Sequence, residues 1–427
     1  MKLSWATQIL RFMKTQKATG AGPRKDEDDY VIAVLDSPLD ISPAEWNALL
    51  ALQPDATPFM RHEYLAAMHE SASASPKTGW TAQFITLRSA NADKSTGERE
   101  LLGACALYRK DHSYGEYVFD HAWANAYHQH GVPYYPKALV APPFTPVPGG
   151  RLLARDDATR ATLAQALIAW CGDTGLSSLH LLFASDADVA AGKAAGMMLR
   201  HNVQFHWTNR EPGYSDFEHF LASLNQEKRK KIRQERRKVE QAGVTFRWSL
   251  GSAISPRDWD FFYRCYERTY YEHGNAPYLS RDFFHRMART MAQNWLLFVA
   301  EREGKPIATS LIAVNDAGTG APDAKVAYGR YWGALERVDC LHFEACYYQP
   351  LQWCINHGYQ RFEGGAQGEH KMARALLPVK TTSAHWLAHP GFADAVQNFL
   401  RREGAGMINY MEELEQRNPF KAAAGSG

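Results

Sequence analysis

Residues 362–371 read FEGGAQGEHK, with three glycines, two carboxylates, an imidazole and an ammonium in one short run. Glycine lets backbone N–H groups come close to a ligand, so Gly364, Gly365 and Gly368 make a loop suited to binding. Glu363, Glu369 and His370 are the candidate catalytic groups. Either Glu369 or His370 can take a proton, and imidazole is the natural base near neutral pH. Lys371 and Arg374 are charged to hold a phosphate or carboxylate of a substrate. His385, beside Trp386, is a weaker candidate that a packed histidine explains equally well. The plainer reading of the whole loop is a solvated polar turn.

A second cluster, YRCYERTYYEHGNAPYLSRDFF (263–284), sets Tyr263, Tyr266, Tyr270 and Tyr271 near helical spacing and closes on Glu272 and His273. Such a stripe is commonly core. A third feature is the helix pattern NQEKRKKIRQERRKVEQAGV (225–244). Lys228, Arg229, Lys230, Lys231, Arg233, Arg236, Arg237 and Lys238 crowd it, with Glu235 the one acid among them. A cationic face attracts phosphate backbones. A tRNA, an anionic lipid-linked precursor or a membrane surface would suit it; a solvated helix face is the alternative. His121, His128 and His130 lack the further ligands of a tetrahedral site, so no metal is expected. No G-x-S-x-G elbow, Walker-type loop or G-x-G-x-x-G run is present.

The elements that must carry these residues repeat in two halves. In the second, 295–303 and 306–314 are strand-like and joined by a Gly304–Lys305 turn. A loop with Gly318, Gly320 and Pro322 follows, then a strand over 326–333. A helix over 341–357 is kinked by Pro350 and ended by Gly358. A strand over 359–365 then runs into the glycine loop. In the first half, 80–88 and 101–109 are strands, 138–147 is a strand, Gly149-Gly150-Arg151 a turn, 158–171 a helix and 177–185 a strand. The expected fold is α/β with mixed sheets in each half. One helix is expected over about 216–242, with Phe217, Phe220, Leu221, Leu224, Ile232 and Val239 as its buried stripe.

The chain of 427 residues exceeds one typical core. The boundaries drawn are a basic tail over 1–29, domains over 30–210 and 211–421, and an appended tail over 422–427. The net charge of +2 leaves any polyanion preference to local patches. The six cysteines form no C-x-x-C pair and read as reduced thiols of a cytoplasmic protein. No apolar run reaches a membrane span. The basic N-terminus is a loose tail, or else a short amphipathic helix that makes the protein peripheral at a membrane.

The runs PYYPKALVAPPFTPVPGGRLL (133–153), 225–244 and FEGGAQGEHKMARALLPVKTTSAHW (362–386) together resemble the FemAB-like group of the GNAT acyltransferase superfamily, described as peptidoglycan biosynthesis or recognition proteins. The resemblance spans roughly residues 30–420. It implies two tandem GNAT-like domains and transfer of an acyl or aminoacyl group to an amine. It also implies no tightly bound cofactor, with the donor a co-substrate: acyl-coenzyme A, an acyl carrier or aminoacyl-tRNA. By the same resemblance Tyr270, Glu272 and His273 border the acceptor pocket. The glycine-rich donor-phosphate loop of coenzyme A-dependent members is matched in part by Gly149, Gly150 and Arg151. The corresponding second-half run, GALERVDCLHF, keeps only Gly333. Direct attack by an amine needs a base, donors for the oxyanion and aligned substrates, with no covalent nucleophile. A non-catalytic module that recognises a cell-wall precursor is the remaining alternative.

Overall fold

Helices and strands largely follow the hydrophobic periods of the chain. The structure is a computed structural model that describes residues 8–10, 30–93, 97–315, 325–366 and 368–421. The expected tails, apart from 8–10, lie outside these residues, as do the loop with Gly318, Gly320 and Pro322, and Gln367. The chain divides into two compact units, residues 1–200 with 382–400 and residues 201–381 with 401–427. The expected boundary near 210 thus falls close to residue 200.

In the first unit, Tyr30–Leu35, Phe84–Ser89 and Leu101–Cys105 form an antiparallel sheet. The expected strands 80–88 and 101–109 are each broken once, at Gln83 and Ala106, and their outer pieces Trp80–Ala82 and Leu107–Lys110 pair in a second sheet. There Leu107–Lys110 pairs with β1 (Lys137–Val140). Helix α1 (Asp157–Asp173) leads from β1 to β2 (Ser178–Leu181), and the two strands run parallel. The strand expected over 138–147 stops at Val140, because Pro142 and Pro143 offer no N–H to a ladder. Residues Ala384–Leu387 pair with β2. That ladder is why 382–400 joins the first unit rather than the second.

In the second unit the expected helix over 216–242 is two, α2 (Phe217–Ser223) and α3 (Gln226–Gln241). Leu224 is extended, and the Asn225 side chain accepts from Lys228 N at 3.0 Å as the cap of α3. The apolar stripe survives the break, because all six of its residues are buried. Helix α4 (Pro256–Glu272) follows. Strands Val244–Leu250, β3 (Trp295–Arg302), β4 (Lys305–Asn315) and β5 (Val326–Ala334) are consecutively antiparallel. The β3–β4 turn centres on Glu303 and Gly304, both left-handed, one residue before the expected pair. The helix expected over 341–357 contains a π turn at Glu344–Tyr348 before α5 (Gln349–Asn356). Pro350 has no N–H for the α-helical bond, so the kink takes the form of a widened turn. Strand β6 (Arg361–Glu363) is shorter than expected and runs parallel to β5. Each unit thus carries the strand–strand–strand–helix–strand order of a mixed α/β fold.

Candidate active site

Strands β5 and β6 pair at only three positions, ending with Tyr328 opposite Glu363. β5 continues to Ala334, while the chain after Glu363 turns off through Gly364 and Gly365. On its other edge β5 is bulged. Leu311 of β4 faces Tyr331 and Ile312 faces Gly329, so Arg330 is skipped. A bulge re-aims the side chain it carries. Beside it lies a cleft of about 290 Å³ whose walls include Tyr266, Tyr270, His273, Arg330, Tyr331 and Trp332. Two of the three expected acceptor-site residues, Tyr270 and His273, are in that wall. The third, Glu272, pairs with Arg268 at 2.7 Å on the exposed side of α4. Gly333 closes the strand against α4: a Cβ there would sit 2.0 Å from the Cys265 carbonyl oxygen. This glycine serves packing and frees no N–H group for a phosphate.

A line of rings joins the cleft to the glycine loop. Trp332 meets His342 at 5.4 Å, His342 meets Tyr347 at 5.7 Å, and Tyr347 meets His370 at 6.0 Å. His342 and Tyr347 are five residues apart, a spacing that the π turn brings onto one face. The Tyr347 hydroxyl lies 3.2 Å from His370 Nε2. Burial, then Arg374 and Lys371, lowers the His370 imidazole from its usual range, so it is neutral near pH 7 and able to accept a proton. Burial likewise pulls His342 down to about 4. Gly368 has a φ of 121°, and a Cβ there would meet the His370 ring at 2.6 Å. Only glycine lets the ring fold back over the chain.

The other loop residues take different parts. Lys371 is buried, and its Nζ donates to the carbonyls of Gly365 and Ala366 at 3.1 and 2.8 Å. Burial brings its ammonium down to about 8. Arg374 is 3% exposed and faces inward rather than toward a substrate anion. Its Nη2 is 3.0 Å from both Glu235 oxygens, and its guanidinium lies 3.5 Å from the centre of the Phe343 ring. Glu369 is exposed and held by Tyr410 at 2.8 Å and Arg417 at 3.0 Å, which lower its carboxyl. Glu363 is buried and bonded by Arg361 Nε at 3.0 Å. Across the β6 ladder, His206 Nε2 is 4.0 Å from a Glu363 oxygen, and burial lowers that histidine to about 3.

The basic helix α3 has two faces. Arg236 turns in to Glu344 and Gln352 and packs on Phe217. Outside, Arg229, Lys230, Arg233 and Arg237 line a groove of about 660 Å³ with Gln226 and Gln234. Arg229, Arg233 and Arg237 recur every four residues, a row pitched at about 6 Å. Lys231 is exposed, and Lys228 donates to Glu227 at 3.1 Å.

In the first unit, the 149–151 turn is built into the core. Gly149 N and Gly150 N donate to Phe183 O and Asp55 O, each at 3.1 Å, and Arg151 N donates to Asp188 at 2.5 Å. The Arg151 side chain is fully buried and bonds the Leu182 carbonyl at 2.8 Å. These N–H groups point at protein acceptors, the opposite of a phosphate cradle. His385 is buried as well, its Nδ1 2.8 Å from His180 Nδ1. His180 reaches Tyr134 OH at 3.2 Å, Tyr134 donates to Asp120 at 2.6 Å, and Asp120 and Glu116 share Lys137. Lys137 Nζ is 2.7 Å from Glu116. His121 and His128 are exposed on a helix that buries Trp123 and Tyr127, His130 ends it, and among the described residues no three metal-ligating side chains converge.

The sequence reading missed Arg330, Trp332, His342, Tyr347 and Glu235. A strand bulge and a π turn leave no composition signal, and Glu235 reads as charge relief within a basic run.

The family model for FemAB-like proteins of peptidoglycan biosynthesis and recognition matches residues 37–422. No curated protein matched the sequence. Among solved structures, FemX is 11% identical, covering 84% of this chain and 98% of its own at a TM-score of 0.47. L-PGS from Bacillus licheniformis is 10% identical, with 84% and 96% covered and a TM-score of 0.47. A tandem GNAT protein from the clavulanic acid biosynthesis pathway is 13% identical, with 85% and 99% covered and a TM-score of 0.43. With the match running through both units and through the glycine loop, the chain belongs to the FemAB-like family.

Proposed function

We propose that the protein is an N-acyltransferase that forms an amide by direct attack of an acceptor amine on an acyl or aminoacyl donor. The observation that carries this is the neutral His370, joined by rings to the aromatic cleft beside the β5 bulge. The acceptor enters past Tyr270, His273 and Trp332 and extends along the ring line to Tyr347, so that its amine meets His370. Its nitrogen bonds to the acyl carbon, the carbon–sulfur or carbon–oxygen bond to the donor breaks, and the amine proton passes to His370. The departing thiolate or alkoxide takes a proton back. Lys371 holds the glycine loop in shape by its two carbonyl bonds, and Glu363 stiffens the end of β6. Glu369, engaged by Arg417 and Tyr410, is a poorer base than His370.

The outer row of α3 suits a polyanionic donor such as an aminoacyl-tRNA. The packing role of Gly333 and the satisfied N–H groups at 149–151 weigh against coenzyme A. A cell-wall precursor amine is the acceptor class that the family suggests, and the cytoplasm is where such donors are made. Binding of acetyl-coenzyme A, a long-chain acyl-coenzyme A, and charged against uncharged tRNA is measured at low and moderate salt. Selective binding of charged tRNA is expected. Salt-resistant coenzyme A binding would make the donor a thioester. Turnover unchanged in the His370→Ala, Glu369→Gln double variant would sink the site and favour a recognition module.

A further inference from the structure

We propose that Glu235, on the inner face of the basic helix, is a positioning residue for His370 and acts through Arg374. This rests on the reading of His370 as the base. One guanidinium makes three attachments. Its Nη2 meets both Glu235 oxygens at 3.0 Å, its Nη1 donates to the His370 carbonyl at 2.7 Å, and its face covers Phe343 at 3.5 Å. The Tyr348 hydroxyl also donates to Glu235, which ties the carboxylate to the π turn that presents Tyr347. Glu235 and Arg374 are both buried, so water replaces neither partner. Removing one leaves a buried charge unmatched, whereas removing both does not. The pair therefore fixes where the His370 backbone lies and how much positive charge its ring feels.

His370 is faced by Arg374 and Lys371 from its own loop, and by His342 and Tyr347 from the helix before β6. Glu369, Arg417 and Tyr410 lie on the exposed side of the same turn. Among these, Arg374 is the cation whose charge Glu235 offsets. Neutralising Glu235 exposes the imidazole to the full guanidinium charge and makes protonation harder. Neutralising Arg374 does the reverse. A purely structural role would shift neither value in a fixed direction.

The test is an NMR pH titration of ring-labelled histidine in the full chain, which needs no substrate. Glu235→Gln is expected to move the His370 midpoint down, Arg374→Gln to move it up, and Glu235→Asp to stay near the parent. Because the two charges offset each other at the imidazole, the double variant should titrate near the parent, below Arg374→Gln alone. That comparison carries the test should Glu235→Gln fail to fold. Unmoved midpoints in both single variants, or a double variant that titrates like Arg374→Gln alone, overturn the proposal. In parallel, donor breakdown is followed with whichever of acetyl-coenzyme A and aminoacyl-tRNA supports it. There Glu235→Gln should lower kcat by up to about 10²-fold with KM little changed, and its acid limb should follow the NMR midpoint. If the midpoint moves and the limb does not, the coupling stands and His370 is not the base.

Discussion

Lys137→Met tests how the first unit tolerates a buried ionic network. The Lys137 side chain is 0% exposed, with Glu116 at 2% and Asp120 at 3%. Burial alone would raise the Asp120 carboxyl; Lys137 and then His180 hold it well below the usual carboxylate range. Burial raises Glu116 to about 7 despite Lys137. Methionine keeps much of the side-chain volume and removes the charge. Breaking a buried pair from one side costs about 3–5 kcal/mol. For a unit of this size that is a loss of roughly 6–20 °C in melting temperature, at about 2–4 °C per kcal/mol. Unfolding is followed by calorimetry and by tryptophan fluorescence, since Trp123 packs edge-on against His385 of the same network.

The pH dependence supplies the sharper check. In the parent, the low Asp120 contributes stability above its unfolded value, lost as pH falls through the folded one. The raised Glu116 contributes below its unfolded value, and that part is lost as pH rises through about 7. In Lys137→Met both carboxyls are raised, so both favour folding in acid. The variant's deficit should therefore be smaller at pH 5 than at pH 8, and Asp120→Asn added to it should recover part of the loss. A deficit below about 1 kcal/mol, or one equal at pH 5 and pH 8, would refute the buried-charge argument.

Gly333→Ala should destabilise the second unit by about 1–3 kcal/mol or more, because its methyl lands on the Cys265 carbonyl; urea unfolding measures it. Arg151→Ala should lower the melting temperature of the first unit and leave donor affinity unchanged, since its guanidinium bonds main-chain carbonyls; weakened coenzyme A binding in a folded variant would restore a phosphate role. Arg229, Arg233 and Arg237 changed together to Gln should weaken tRNA binding. The same change should flatten its salt dependence, by about 0.7 in log–log slope for each single-stranded phosphate that the protein no longer neutralises. Titrations at several salt concentrations check this.

Periodicity and turn chemistry determined much of this protein. The antiparallel run β3–β5, its hairpin and the helix α1 are written in local apolar spacing and in glycine, and all lie within a residue or two of where the sequence puts them. The FEGGAQGEHK loop was legible for the same reason, because its glycines follow a strand. Tertiary structure decided what each charged residue faces. Arg374 and Glu369 sit in one polar loop, yet the first turns inward to Glu235 and the second stays at the surface with Arg417. Gly149 and Gly150 look like a phosphate loop until their N–H groups are seen to meet Phe183 and Asp55. The bulge at Arg330 depends on how β5 meets β4, and the cleft lies beside it. Sequence period specifies which face of an element is apolar. The partner of a buried charge is chosen by packing between residues more than a hundred positions apart, as with Glu235 and Arg374, and local pattern carries no record of it.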